Sequence, residues 1–437
     1  MIPLGIIASA HKFAAAVGGQ SFTFNTRTYS EVFNTGTTET TNTVSLTAGS
    51  EGDLAILWDF RINGVGTTVP SEHNPYGWVP IDTFGYDSGN EFRHDFSWKI
   101  LTASDVASGT VTTGEAENLF TTILFFTPAE TLTAMDHFDF ESQGTTGNAS
   151  LQTQNITTLG GIAPALAFGI KSTHFSGSPP SATFTSPTWD GDFLEEVTSS
   201  EMSVTTTQSH RIGYAIQNTT LTDLSVDSND EGNAQQLISF HMTPAAKELT
   251  PAGSFFNSID DLNFTQGVSN RLMILFVMRQ NVTSTAMPNA LAPSGWTEVI
   301  DVQHDAGQEF RLQVFAKIRQ PDEATVVLND GSEEQAELQL YEYNANFPMS
   351  SINVGSTAFE NTSGDASPQS QTVTTSGVTV PVVVGGMKVT FFGHQASFTS
   401  PTWDASIVNN PLDTQPNTYY GVGILVQNGT GSDVTVD

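Results

Sequence analysis

The sequence predicts an all-β protein made of two tandem, duplicated β-sandwich domains of jelly-roll-like type, preceded by a short N-terminal arm. Three observations carry that expectation. Phe184-Thr185-Ser186-Pro187-Thr188-Trp189-Asp190 returns unchanged as Phe398-Thr399-Ser400-Pro401-Thr402-Trp403-Asp404. Other anchors keep a constant spacing of 218 residues (78 to 296, 100 to 318): Gly77-Trp78 with Gly295-Trp296, Glu91-Phe92-Arg93 with Glu309-Phe310-Arg311, and Lys99-Ile100 with Lys317-Ile318. Apolar and polar residues alternate in the longer runs, which is the period of a half-buried strand, and Thr, Ser, Gly, Asn and Val are abundant.

Beyond these anchors the spacing shrinks in small steps. Pro164 and Lys171 match Pro381 and Lys388 at 217, and Gln217-Asn218 matches Gln427-Asn428 at 210. Loops that differ in length around a common framework produce that pattern. The period is far longer than that of a solenoid, so each copy is expected to be a domain with its own core. The length of 437 residues and 38% hydrophobic content, with 29 Phe, suffice for two cores.

Charge and cysteine content exclude several function classes. With 14 basic against 46 acidic residues the net charge is −32. No Lys/Arg cluster is present to displace counterions, so nucleic acid is excluded as a partner. The absence of cysteine removes disulfides, thiolate nucleophiles and Cys-based zinc sites.

Met1–Gly19 stands apart as an arm. Ile2, Leu4, Ile6, Ile7 and Phe13 make it apolar, and Lys12 follows the apolar run instead of preceding it, unlike a secretory signal. The run is also too short to cross a bilayer, so no membrane insertion is expected. An exposed apolar arm calls for a surface to dock on, either a neighbouring subunit or its own first domain, and these five residues are the candidate assembly contacts.

Domain one is expected over residues 20–242. In Asp53–Ile62, Leu54, Ile56, Trp58, Phe60 and Ile62 share one face, with Asp53, Asp59 and Arg61 on the other. Phe92–Ile100 places Phe92, His94, Phe96, Trp98 and Ile100 inward, with Arg93, Asp95, Ser97 and Lys99 outward. Leu272–Met278 and Phe310–Ile318 are the corresponding strands of domain two. Further strands are predicted at Asn118–Thr127, Ala165–Phe175, Ile212–Asn218 and Gln235–Met242. Short helical signals occur at Ser104–Ala107 and near Ala245–Leu249.

Thr243–Ala252, with two prolines, reads as a linker, and domain two spans 253–437. After Val226-Asp227 domain one continues to the strand Gln235–Met242, whereas the matching Val436-Asp437 has no such continuation. Domain two is therefore expected to lack its last strand, with the slot taken by further chain or by a neighbour's strand.

Candidate chemistry is sparse. Trp189 and Trp403 are the glycan-binding candidates, because a flat indole stacks on a pyranose. Against that stands a framework role, since such rings commonly close sandwich cores. His137 and Asp139 share a strand face, but two ligands do not make a metal site, so none is expected. Asp227-Ser228-Asn229-Asp230-Glu231-Gly232 has the composition of a calcium loop without its spacing, leaving calcium as the one weak cofactor candidate. Glu195-Glu196 and Glu333-Glu334 are adjacent on the chain, and neighbouring strand residues point to opposite faces, so neither forms a facing carboxylate pair. No nucleophile elbow, phosphate loop or dinucleotide fingerprint is present, and no catalytic residue is expected.

The start Met-Ile-Pro-Leu-Gly-Ile-Ile-Ala-Ser-Ala followed by Thr/Ser-rich modules resembles virion structural proteins of tailed bacteriophages, marine ones in particular. In each module a Gly-Trp (Gly77-Trp78, Gly295-Trp296) precedes a strand ending in Lys99 or Lys317. An acidic turn and a Thr-Val strand follow (Ala107–Thr113, Ala324–Leu328). The resemblance implies a non-enzymatic structural protein of the extracellular particle, tail-associated in preference to capsid-decorating. Its partners would be other virion proteins and copies of itself. The alternative is a secreted or surface carbohydrate-binding protein, or a virion protein that meets a host-surface glycan.

Overall fold

The computed structural model describes residues 21–436, except 34–39, 64–67, 88–90, 147–151, 157–162, 176–187, 190–193, 197–206, 220, 222, 229–233, 258–260, 264–269, 282–284, 306–308, 321–324, 328–334, 350, 356, 358–370, 376–380, 392–405, 410–417 and 429–432. The chain divides into two units, Met1–Ser71 with Ile81–Ala246 and Glu72–Pro80 with Lys247–Asp437. Both are all-β.

The first unit begins with β1 (Phe22–Phe33), β2 (Thr43–Ser45), β3 (Leu54–Asn63), β4 (Val79–Asp87) and β5 (Glu91–Ile100). The helix α1 (Ala103–Ser108) follows, then β6 (Thr110–Thr112), β7 (Asn118–Pro128), β8 (Met135–Thr146), β9 (Gln152–Ile156) and β10 (Ala165–Phe175). The unit ends with β11 (Thr188–Trp189), β12 (Leu194–Glu196), β13 (Thr207–Gln217), β14 (Leu224–Ser228) and β15 (Ala234–Pro244). One sheet has the order β1-β7-β3-β5-β4 and the other β12-β13-β10-β15-β8, with the smaller pairings β11-β14-β9 and β2-β6. The alternation read from the sequence is what drives the two large sheets together. Phe96 meets Phe240 edge-on at 5.3 Å and Phe126 meets Phe168 at 5.8 Å, so the inner faces pack against each other as in a sandwich. Trp58, Phe60, Phe96 and Trp98 are fully buried, each worth about 1.5–3 kcal/mol or more of transfer free energy.

The second unit comprises β16 (Leu249–Asn257), β17 (Asp261–Asn263), β18 (Arg271–Asn281), β19 (Thr297–Asp305), β20 (Glu309–Ile318), β21 (Thr325–Val327) and β22 (Gln335–Ala345). It continues with β23 (Gln371–Val373), β24 (Val382–Phe391), β25 (Ser406–Asn409), β26 (Thr418–Gln427) and β27 (Val434–Val436). Its large sheet has the order β16-β22-β18-β20-β19, which is the order of the first unit's large sheet strand for strand. The register agrees as well. Leu54↔Ile100 through Asn63↔Glu91 becomes Leu272↔Ile318 through Asn281↔Glu309, every residue displaced by 218. Both first strands carry an irregularity after their third residue, at Phe24/Thr26 and Pro251/Gly253. The second sheet is the three-stranded β24-β26-β25 among the described residues. Val422 and Ile424 of that sheet join Phe276, Met278 and Tyr343 in one core.

An asparagine closes each unit. Asn218 Oδ1 accepts from the Phe22 backbone N–H (2.8 Å) while its Nδ2 donates to the Phe22 carbonyl (3.0 Å). Asn428 does the same to Leu249, at 2.7 and 2.9 Å. The side-chain amide thus stands in for a peptide group and binds the first strand to the residue that follows β13 or β26.

The structure corrects three expectations. Residues near Ala245–Leu249 are not helical: β15 runs to Pro244, β16 starts at Leu249, and an edge strand tolerates Pro251. For the same reason only Ala245–Glu248 of the expected linker Thr243–Ala252 lies outside strands. The face that carries Asp59, Arg61 and Asp95 is buried instead of solvated. The expected short helix at Ser104–Ala107 is α1, opened by a Thr102/Asp105 capping box. Burial alone would raise the Asp105 carboxyl, but hydrogen bonds from Lys99 and Thr102 hold it below the usual range.

Candidate functional site

The polar face that the sequence places outward on β3 and β5 is covered by the segment leading into β4. Three side chains hold that segment by its carbonyl oxygens. Asn63 Nδ2 donates to Thr68 (3.1 Å), Arg93 Nε to Pro70 (3.0 Å) and Arg61 Nη2 to Ser71 (2.6 Å). The second unit repeats the arrangement 218 residues on. Asn281 Nδ2 donates to Ala286 (2.7 Å), Arg311 Nη1 to Pro288 (3.0 Å) and Arg279 Nη2 to Asn289. A loop lying over a sheet face must satisfy its peptide groups. Long forked donors rising from the sheet do that here.

Each braced loop ends in the same turn. The Trp78 N–H donates to the Pro75 carbonyl (3.1 Å) and the Trp296 N–H to that of Pro293 (3.2 Å). Gly77 and Gly295 both sit at φ +77°. That is the third position of a type II turn, where a Cβ is disfavoured, and Pro75 and Pro293 open it. Trp78 is buried, and Trp296 is half-buried with the Lys317 ammonium 5.9 Å from its ring centroid. The Gly-Trp anchors are therefore turn and packing residues.

The charges beneath the loops differ. In the first unit Arg61 lies between two carboxylates: its Nε is 3.2 Å from Asp59 Oδ2, and its Nη2 pairs with Asp95. Thr121 donates to Asp59 at 3.0 Å and Thr83 to Asp95 at 2.7 Å. Burial pushes the Asp59 carboxyl up to about 7, against the opposing pull of Arg61, and the neighbouring Asp95 adds to the rise. In the second unit Val277 and Gln313 stand at the places of Asp59 and Asp95. Arg279 donates to Gln313 Oε1 (3.1 Å), and Gln313 Nε2 in turn donates to Glu298 (3.2 Å). Arg311 makes a two-point contact with Asp301, Nε to Oδ1 at 2.9 Å. These groups are engaged in holding backbone, and the arrangement presents a stiffened loop.

The residues singled out from sequence fare unevenly. Ile2, Leu4, Ile6, Ile7, Phe13 and Trp403 lie outside the described residues, as does most of the repeated heptapeptide. Trp189 is described by backbone alone, in β11 opposite Val226. His137 is exposed on β8. Asp227 and Ser228 end β14, and the rest of the acidic run lies outside the described residues. Among the described residues there is no group of three or more His, Asp or Glu placed to hold a metal ion, and no helix long and apolar enough to cross a membrane. Sequence reasoning missed the bracing trio in each unit. Its signal was present in the polar residues at fixed register on β3 and β5, together with Pro70 and Pro288 at the shared spacing. Neither a family model, nor a curated protein, nor a solved structure matches this chain.

Proposed function

We propose that this chain is a non-enzymatic structural protein of a bacteriophage particle, built by duplication of one jelly-roll-like module and acting by assembly on neighbouring subunits. A tail location is preferred to capsid decoration. The observation that supports the reading most is the repetition of one braced loop on two sheets of identical strand order and register. Independent convergence on a shared 218-residue register across ten paired positions, six bracing hydrogen bonds and two turns is a poor explanation beside duplication. A stiffened loop repeated along one chain suits a rigid spacer, because its carbonyl oxygens are held by side chains of the sheet beneath. The acidic surface opposes unselective association and leaves contacts to specific apolar elements.

The test is immunogold labelling of purified particles with antibody raised against the second unit, with a mass-spectrometric count of copies per particle. Regular labelling at the tail is the expected result. A protein absent from washed particles would sink the assignment. Labelling of the head would move the site to the capsid and keep the structural role.

A further inference from the structure

In the first unit β10 is a central strand: β13 pairs with one edge and β15 with the other. Its counterpart β24 pairs with β26 in the same register, Val382↔Gln427 matching Ala165↔Gln217, but among the described residues no strand lies on its other edge. The neighbouring core is also less covered. Leu272, Ile274 and Val314 are 9%, 8% and 9% exposed, whereas Leu54, Ile56 and Phe96 at the same places in the first unit are 0%, 1% and 2%. Leu312 is partly exposed where His94 is fully buried. Gly385 is exposed on β24, and a Cβ there would come 2.7 Å from Phe276 Cζ, so the ring lies against bare backbone.

The first unit also shows what suits such an edge. β15 is antiparallel to β10 and sets Met242, Phe240 and Ile238 opposite Leu166, Phe168 and Ile170. All three β15 side chains are buried. The corresponding positions on β24 are Val383, Gly385 and Met387. The occupant must therefore be an extended segment with bulky apolar residues at alternate positions and the largest demand for volume opposite Gly385. Within this chain, Ile2, Leu4 and Ile6 have that alternation, in a segment that lies outside the described residues. Pro3 and Gly5 fall between them, where an edge strand with no further neighbour tolerates a missing N–H.

We propose that residues 2–7 of a second copy of this chain add to the edge of β24 opposite β26 as an antiparallel strand, Ile6 opposite Val383, Leu4 opposite Gly385 and Ile2 opposite Met387. Main-chain hydrogen bonds supply affinity and the three side chains supply register, as in strand addition generally. The contact is head-to-tail, so it joins copies in series. It deepens the assembly reading, but its test uses the purified chain, so particle labelling could fail while this stands, or the reverse.

The experiment combines light scattering with amide exchange on three chains: the full chain, the chain lacking residues 1–19, and full-length Leu4→Asp. The full chain is expected to associate, with the amides of Val383–Val389 slowed at least about tenfold relative to either variant. A synthetic peptide of residues 1–10 is expected to restore that protection to the shortened chain, and the same peptide with Ser at positions 2, 4 and 6 is not. A peptide of residues 234–243, carrying the β15 sequence, is the positive control. Three results overturn the proposal: equal protection of β24 with and without the arm, a monomeric full chain whatever its β24 protection, or failure of both apolar peptides to protect the edge. Circular dichroism of Leu4→Asp separates loss of association from loss of fold.

Discussion

The first unit neutralises its buried arginine with two carboxylates; the second sets an amide and a valine in the same places. Arg61 faces Asp59 and Asp95, Arg279 faces Gln313, and Val277 replaces Asp59. Both guanidinium groups nevertheless reach the same loop carbonyl, Ser71 or Asn289. The hydrogen bond to the loop is thus the shared feature and the ion cluster is not. Buried ion pairs lose most of their Coulomb gain to desolvation, so an arginine that reaches a carbonyl can dispense with carboxylate partners. What the carboxylates add is a liability that depends on pH.

The largest expected contrast comes from removing each arginine. Arg61→Ala leaves two adjacent carboxylates buried without their cation and should cost the first unit about 3–5 kcal/mol. Arg279→Ala leaves an amide and a carbonyl short of a donor and should cost the second unit about 1–3 kcal/mol. Denaturant unfolding of the whole chain, followed by the fluorescence of Trp58 and Trp98 for the first unit, checks this. Equal losses would mean that the carboxylates carry no weight.

The next effect is a pH dependence confined to the first unit. Asp59 titrates near 7 when folded against an ordinary 3.8, so the folded unit keeps a proton that the unfolded chain gives up between those values. Stability is fully present below the lower value and is lost as pH rises through the upper one, by on the order of 2–4 kcal/mol. Asp59→Asn should flatten that slope between pH 4 and 7. A slope unchanged by the substitution would place its origin elsewhere.

Smaller and matched effects are expected where the two repeated sequences agree. Asn218→Ala and Asn428→Ala each remove a two-point contact to a first strand and should cost about 1–2 kcal/mol apiece. Gly77→Ala and Gly295→Ala should each cost about 1–2 kcal/mol through the left-handed backbone alone. A Cβ at Gly77 meets nothing within 4 Å, and at Gly295 it meets only the mobile end of Lys317. Thermal melts of the paired variants would show whether the two modules respond alike.

Much of the framework was legible in the sequence because strand pairing repeats the residue spacing. The offset of 218 between Trp78 and Trp296 is the offset of the β3–β5 and β18–β20 registers. The Gln-Asn pair was visible as a repeat, but its role was not, since a clasp between residues 22 and 218 is a property of tertiary geometry. Alternation separates two faces of a strand and cannot say whether the polar face meets water or a loop. Hence the pattern points Asp59, Arg61 and Asp95 outward, although an overlying segment buries them. The helical pattern at Ala245–Leu249 lost to pairing, because β16 gains a full ladder with β22.

The asparagine clasps have a kinetic consequence. They join positions 196 and 179 residues apart, so neither can form until nearly all of its unit is in place. Contacts of that separation are slow to be reached and contribute little at the folding barrier. Asn218 and Asn428 should therefore govern how long a finished module survives rather than how quickly it is made.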